Sequence, residues 1–378
     1  MNTVFKPINW MQGMNVSSAH FIATENFMTE RMMKYVELLQ GKFSFGLLSS
    51  SSALEEEDAM ALEVVGKGKG TKLVLYSYHG LTQGGCYIDL ETNDESVSCD
   101  CVEDDSIVSD GWDVVLSVAP FDRRPCGEPN IQENPPRYPF VEPVYRLTLV
   151  AREKDQINEY GPCDVVIGHL IQKDDLFKLD GRFIPPSLAM SSYSTLIQYM
   201  KAFSQQIASI KESVGTIIEK AYSPNANRSD VLLNVIEICK DIQREIARDY
   251  FTWRNEGMSL APVQVIQIIS SLSNAILTSL TFMSKQGKDD VLKYFYEWNG
   301  ITPSAFEQVL DDLVRLKFNQ NRIEQSMNAA EEVLQMLVEL FISLSRLDYV
   351  GQHKESMVVS VSSVKEEQPE AKKTSWLL

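Results

Sequence analysis

Cys99 and Cys101 stand one residue apart beside Glu103, Asp104 and Asp105, the place where this 378-residue chain comes nearest to a set of metal ligands. One intervening residue is a poor chelate spacing, and no histidine lies close by to complete a tetrahedral site. A pair of ordinary strand cysteines is the simpler reading. Gly66-x-Gly68-x-Gly70 and Gly84-Gly85 lack both the strand-loop-helix setting and the Lys-Ser/Thr of a phosphate cradle. Neither Gly-x-Ser-x-Gly nor His-Glu-x-x-His occurs. His20 has no nucleophile pattern near it, so a cap or a local hydrogen bond is its expected role. The acidic run Glu55-Glu56-Glu57-Asp58 after Ser49 to Ser52 reads as a solvated loop. The sequence thus assigns no catalytic residue, no metal and no cofactor. A metal- or thiol-dependent enzyme with its site in a β-domain stays as the alternative to a binding protein.

Charge narrows the partners. Lys plus Arg total 35 against 52 Asp plus Glu, a formal net charge of -17 spread along the chain. Such a surface repels phosphate, so no nucleic acid is expected; with no catalytic residue assigned, no small-molecule substrate is expected either. The densest basic stretch, Lys67 to Lys72, reads as a hairpin turn with solvated lysines. The six cysteines have no regular spacing, and no basic, apolar leader precedes Asn2, which points to reduced thiols in the cytoplasm. The most apolar stretch, Val263 to Met283, is interrupted by Gln264, Gln267, four serines and Asn274, so a soluble, non-spanning chain is expected.

The elements that must position any site fall into two halves, and the length is about two to three times that of a single-core domain. From about Phe43 to Arg182 short apolar runs alternate with turn residues: Leu73 to Tyr76, Cys86 to Leu90, Val114 to Val118, Tyr145 to Val150 and Asp164 to Leu170. Many short strands without interleaved helices predict an antiparallel β-sandwich. The Pro-rich stretch from Pro120 to Pro143 reads as a long loop, offering contact area.

After Pro185-Pro186 the period changes to that of helices. Tyr193, Leu196, Met200, Phe203, Ile207, Ile210, Val214, Ile217 and Ala221 form a heptad seam. The bland consequence is an antiparallel bundle within one chain; the sharper one is a stalk whose first helix also meets copies of itself about an axis. A second helix spans Ser229 to Gly257, and a third runs from Pro262 to Gly287. A fourth begins at Thr302-Pro303 and keeps one register to Leu344, a single rod of roughly 65–70 Å if Asn319-Gln320-Asn321 does not break it. The fold class is therefore α+β and multidomain: an N-terminal arm and helix (1–42), a β-sandwich (43–184), a helical bundle (185–350) and a disordered tail (351–378) ending Trp376-Leu377-Leu378, which could serve as an apolar hook.

Three segments carry a family resemblance. Ile8-Asn9-Trp10-Met11-Gln12-Gly13-Met14, with His20-Phe21 leading into an aromatic-dotted helix, resembles the opening of the TssK family of type VI secretion baseplate components. Asp180-Gly181-Arg182-Phe183-Ile184-Pro185-Pro186 is similar to that family's junction between shoulder sandwich and helical stalk, and Ala261-Pro262 to its Pro-initiated bundle helix. The resemblance covers roughly 4–348 and does not reach the family's C-terminal head, which suggests a shortened variant. It implies a cytoplasmic homotrimer that binds TssF- and TssG-like wedge proteins and links the baseplate to an envelope-anchored membrane complex, with no bond made or broken. Trp10, Gly13, His20, Phe21, Pro185, Pro186, Tyr193, Leu196, Met200, Phe203 and Trp376 are the candidate interaction residues. A free cytoplasmic adaptor or chaperone is the remaining alternative.

Overall fold

A computed structural model of the chain describes residues 5–49, 60–66, 70–92, 96–101, 111–152, 158–173, 176–224 and 228–352. It falls into two compact units, one of Met1–Lys201, Asn255–Ile266 and Lys317–Asn328, the other of Ala202–Arg254, Gln267–Leu316 and Ala329–Leu378.

The first unit is a sandwich of two antiparallel sheets. In one, the central strand β3 (Lys72–Leu81) is flanked on one edge by β1 (Gly46–Leu47) and β2 (Met60–Val65), and on the other by β4 (Tyr87–Glu91) and β5 (Ser98–Asp100). The other sheet has the order β7 (Phe140–Ala151), β6 (Trp112–Cys126), β8 (Asp164–Lys173), β9 (Leu176–Leu179). Period-two alternation sends Ile88 and Leu90 of β4 inward while their neighbours face water, and they join Leu73, Leu75, Val114, Leu116, Val165 and Ile167 in one core. The central strands β6 and β8 are apolar on both faces because Val115 and Val166 are covered from outside by Phe183.

The Pro-rich stretch departs from the loop expected of it. Beyond Ser117, where pairing with β8 ends, β6 and β7 continue alone as a two-stranded ribbon, Arg123 to Cys126 against Pro143 to Phe140. Pro125 and Pro143 are tolerated there because each strand of such a ribbon has an outer edge on which a missing N–H breaks no ladder bond. The Lys67 to Lys69 part of the expected hairpin turn lies outside the described residues, but β2 and β3 do pair as its two arms.

Helix α1 (Ser18–Leu39) lies on this sandwich. Met33 packs against the core, and the Gln40 amide donates to the carbonyls of Thr82 and Gln83 in the β3–β4 turn. Gly85 lets that turn approach: its φ is +78°, and a Cβ there would strike the Met33 carbonyl. After the second sheet the chain runs beside β1, with the Leu47 N–H donating to the Pro186 carbonyl at 2.7 Å and the Leu188 N–H to the Leu47 carbonyl at 2.9 Å.

The helices are α2 (Ser194–Ala221), α3 (Asp230–Glu256), α4 (Pro262–Thr281), α5 (Lys285–Asn299), α6 (Pro303–Arg315) and α7 (Ile323–Ser345). The second unit is the bundle built from most of them. The third expected helix stops at Thr281 rather than Gly287, which instead sits in the first turn of α5 and donates its N–H to the N-cap Ser284. α5 was invisible to a reading that took Gly287 as a stop; Leu292 and Phe295 bury its inner face, with Phe295 against Phe306 and Phe341. Lys220 closes the C-terminus of α7 by donating to the carbonyl of Ser345, an orphan of the last turn, and to that of Leu347 just beyond it. Among the described residues α4 alone is long and apolar enough to cross a membrane, and close to half of that window is buried in the chain, as in a core helix.

The expected single rod after Thr302 is broken. α6 ends at Arg315, residues 316–319 are extended, and Gln320–Arg322 form a short 3-10 turn before α7. The segment from Lys317 belongs to the first unit, where Phe318 meets the edge of Phe43 at 5.2 Å.

Candidate functional site

The cysteine pair forms no reactive centre. Cys101 is part of the sandwich core, and burial pushes its thiol up to about 11 and that of Cys99 up to about 12, so both stay protonated and poorly nucleophilic at neutral pH. Glu103, Asp104 and Asp105 lie outside the described residues.

The N-terminal arm is built locally. Gly13 adopts a φ of +79° in a turn closed by the Met14 N–H on the Met11 carbonyl, with open space around it. Ser17 caps α1, and His20 stands where Glu or Gln completes a capping box: the Ser17 N–H donates to His20 Nδ1 at 3.1 Å. His20 is therefore a capping residue, as expected. Trp10 packs near His20 and Phe21, with ring centroids 6.0 and 6.4 Å apart, instead of anchoring the arm to the sandwich. Both Trp10 and Phe21 remain more than half exposed. The anchor is Phe5, whose ring lies 4.7 Å from Phe121 on the ribbon and whose N–H donates to Glu30. Arg123 adds an ion pair to Glu25 at 2.6 Å.

Pro185 and Pro186 are buried beside β1, and Tyr193 packs half-buried against the sandwich core. Leu196, Met200 and Phe203 are interior side chains of the single chain, as are the seam residues that follow them to Ala221. These side chains therefore serve the core of one chain, as in an antiparallel bundle. Trp376 lies outside the described residues.

One polar cluster escaped the sequence reading. Asp113 and His169, both nearly buried, meet at 3.1 Å between β6 and β8. The Tyr160 hydroxyl donates to the same carboxylate at 2.5 Å and the Asn158 amide at 3.2 Å. Arg152 approaches His169 Nδ1 at 3.1 Å, which makes that nitrogen the acceptor and leaves Nε2–H to donate to Asp113. Burial raises the Asp113 pKa, but the hydrogen bonds from His169, Tyr160 and Asn158 outweigh it and leave the carboxyl below its ordinary value. Phe183 stacks on the imidazole at 4.0 Å, and Asn321 and Arg322 close the small cavity beside it. The nearby Glu324 carboxyl is raised by burial. The hydrogen bonds converging on Asp113 and His169 make this a buried polar clamp, and among the described residues no serine or cysteine lines the cavity. The signal available in the sequence was His169 itself, the one polar side chain in the run Val165 to Ile171, which must find a partner when buried.

The chain matches no known family description and no curated protein. It is similar to several solved structures. A crystal structure of TssK aligns over 88% of this chain and 69% of its own, at 15% identity and a TM-score of 0.53. TssK from the type VI system of EAEC, in complex with a nanobody, aligns over 84% and 68% at 14% identity and a TM-score of 0.48. A chain of the type VI secretion TssK–TssF–TssG baseplate subcomplex aligns over 89% and 99% at 14% identity and a TM-score of 0.49. The alignment with the TssK crystal structure runs through both the sandwich and the helical bundle, and this chain has a TssK-like fold.

Proposed function

We propose that the chain is a structural subunit of a type VI secretion baseplate that assembles as a homotrimer, binds TssF- and TssG-like wedge proteins, and works at the cytoplasmic face of the inner membrane with a membrane-complex protein as a further partner. The observation that carries this reading is the fold likeness to TssK over 88% of the chain, through both compact units. The surface agrees with it. The N-terminal arm, α1 and the β6–β7 ribbon leave Trp10, Phe21, Phe140 and Val141 exposed around a rigid sandwich, the arrangement of an interaction protein. An enzymatic reading finds no support in the thiols, which burial keeps protonated, nor in the Asp113–His169 pair, whose remaining hydrogen bonds are taken up by Tyr160, Asn158 and Arg152.

Co-expression with TssF- and TssG-like proteins from the same cell tests this. Recovery of a complex holding three copies of this chain for each wedge contact is the expected result. A chain that stays monomeric at every concentration and co-purifies with neither protein would remove the reading.

A further inference from the structure

α1 has two faces. Met33 and Gln40 lie on the side that meets the sandwich, whereas Phe21, Met28, Met32, Tyr35 and Leu39 are exposed by 56% to 88%. With Glu25 these five occupy positions 21, 25, 28, 32, 35 and 39, alternating steps of four and three that make a coiled-coil seam turned to solvent. A helix already docked on its inner side gains nothing from an apolar outer side in water. Five large apolar side chains exposed together along one side of a helix make a patch of the kind that marks an interaction surface.

The seam's own symmetry names the occupant. Laid antiparallel on a second α1 with a two-fold axis level with Glu30, Phe21 falls opposite Leu39, Met28 opposite Met32, and Glu25 opposite Tyr35. Every apolar knob then meets an apolar partner, and a phenol hydroxyl can donate to a carboxylate that already holds Arg123. A parallel arrangement would set Glu25 against Glu25 within an apolar seam, two like charges with little water to screen them. Arg31, the remaining charge on this side, is folded over its own Phe27 ring at 5.3 Å. We propose that the outer face of α1 pairs with α1 of a second copy of this chain, antiparallel about a two-fold axis. The inference rests on α1 alone and holds whether or not the baseplate reading does; in a homotrimer, whose three-fold axis supplies no two-fold contact, it joins two trimers.

Full-length Met28→Cys and Met32→Cys chains, mixed and oxidised, test it by peptide mass mapping against the unsubstituted chain as the blank for native cysteines. The expected product is a disulfide joining position 28 of one chain to position 32 of the other, with no 28-to-28 link from the first variant alone. Met32→Asp, at an exposed position, should keep the native circular dichroism and melting temperature while the mass in light scattering falls by about a factor of two. A 28-to-28 link would overturn the antiparallel geometry. Absence of any link together with an unchanged mass in Met32→Asp would overturn the pairing altogether and hand the face to a different protein or to lipid.

Discussion

Gln320 and Ser187 are joined by a hydrogen bond of 2.8 Å from the glutamine Nε2 to the serine carbonyl, and the same nitrogen donates to the Phe45 carbonyl at 3.0 Å. One buried amide thus ties the segment after α6 to both the start of β1 and the chain just past the Pro-Pro junction. The expected helix breaks here because its polar run Asn319-Gln320-Asn321 satisfies distant and local backbone groups: Asn319 accepts from the Asn321 N–H at 2.9 Å while Gln320 is drawn into the sandwich.

Gln320→Leu keeps the volume and removes both donors. The two buried carbonyls lose a partner, and a loss of about 2–3 kcal/mol is expected in urea unfolding. A change within error would mean that the break is held by other contacts.

Gly46→Ala is expected to be among the most damaging single changes. The residue has a φ of +114°, and a Cβ there would collide with the Pro186 backbone. Loss of several kcal/mol, or insoluble protein, is the outcome, whereas Gly13→Ala, in open space, should be far milder because only the positive φ is strained. Thermal melts of the two variants side by side make the comparison.

The buried Asp113 carboxyl and the half-buried Glu324 carboxyl should respond oppositely to pH. Asp113 is held below its ordinary pKa, so its stabilisation is present above the unfolded value of about 3.9 and is lost as pH falls through the lower folded value. Asp113→Asn is accordingly less stable than the unsubstituted chain at neutral pH, by about 3 kcal/mol for a broken buried pair, with the gap closing in acid. Glu324 is raised by burial, so ionising it costs stability as pH rises from its unfolded value of about 4.3 through the higher folded value. Glu324→Gln should then gain stability at neutral pH and lose that advantage in acid. Melting temperatures of the three proteins against pH check both signs.

Deletion from Gly351 onward should cost more than deletion from His353 onward. The Gly351 N–H donates to the Tyr294 hydroxyl at 2.9 Å, and its carbonyl accepts from Ser229 at 3.1 Å. Both bonds are lost only in the longer deletion, and each is worth about 1 kcal/mol. Equal melting temperatures for the two truncated chains would contradict this.

What the sequence determined by itself were the features with a local period. Strand alternation in Tyr87–Glu91, the apolar run of Asp164–Lys173, the seam of Ser194–Ala221 and the cap at Thr302 each follow from neighbours a few residues apart, because backbone geometry repeats at two or 3.6 residues. Helix α5 was hidden by one glycine whose meaning depends on whether a cap precedes it. Only the tertiary structure decided the rest. Pro125 and Pro143 became ribbon residues because no third strand reaches that far, and Asp113, Tyr160 and His169 became one cluster because three segments converge. Gln320 broke a helix because Phe45 and Ser187, hundreds of positions away in one case, offered their carbonyls. Hydrogen-bond partners so far apart leave no trace in local spacing, since what selects them is the closing of the fold.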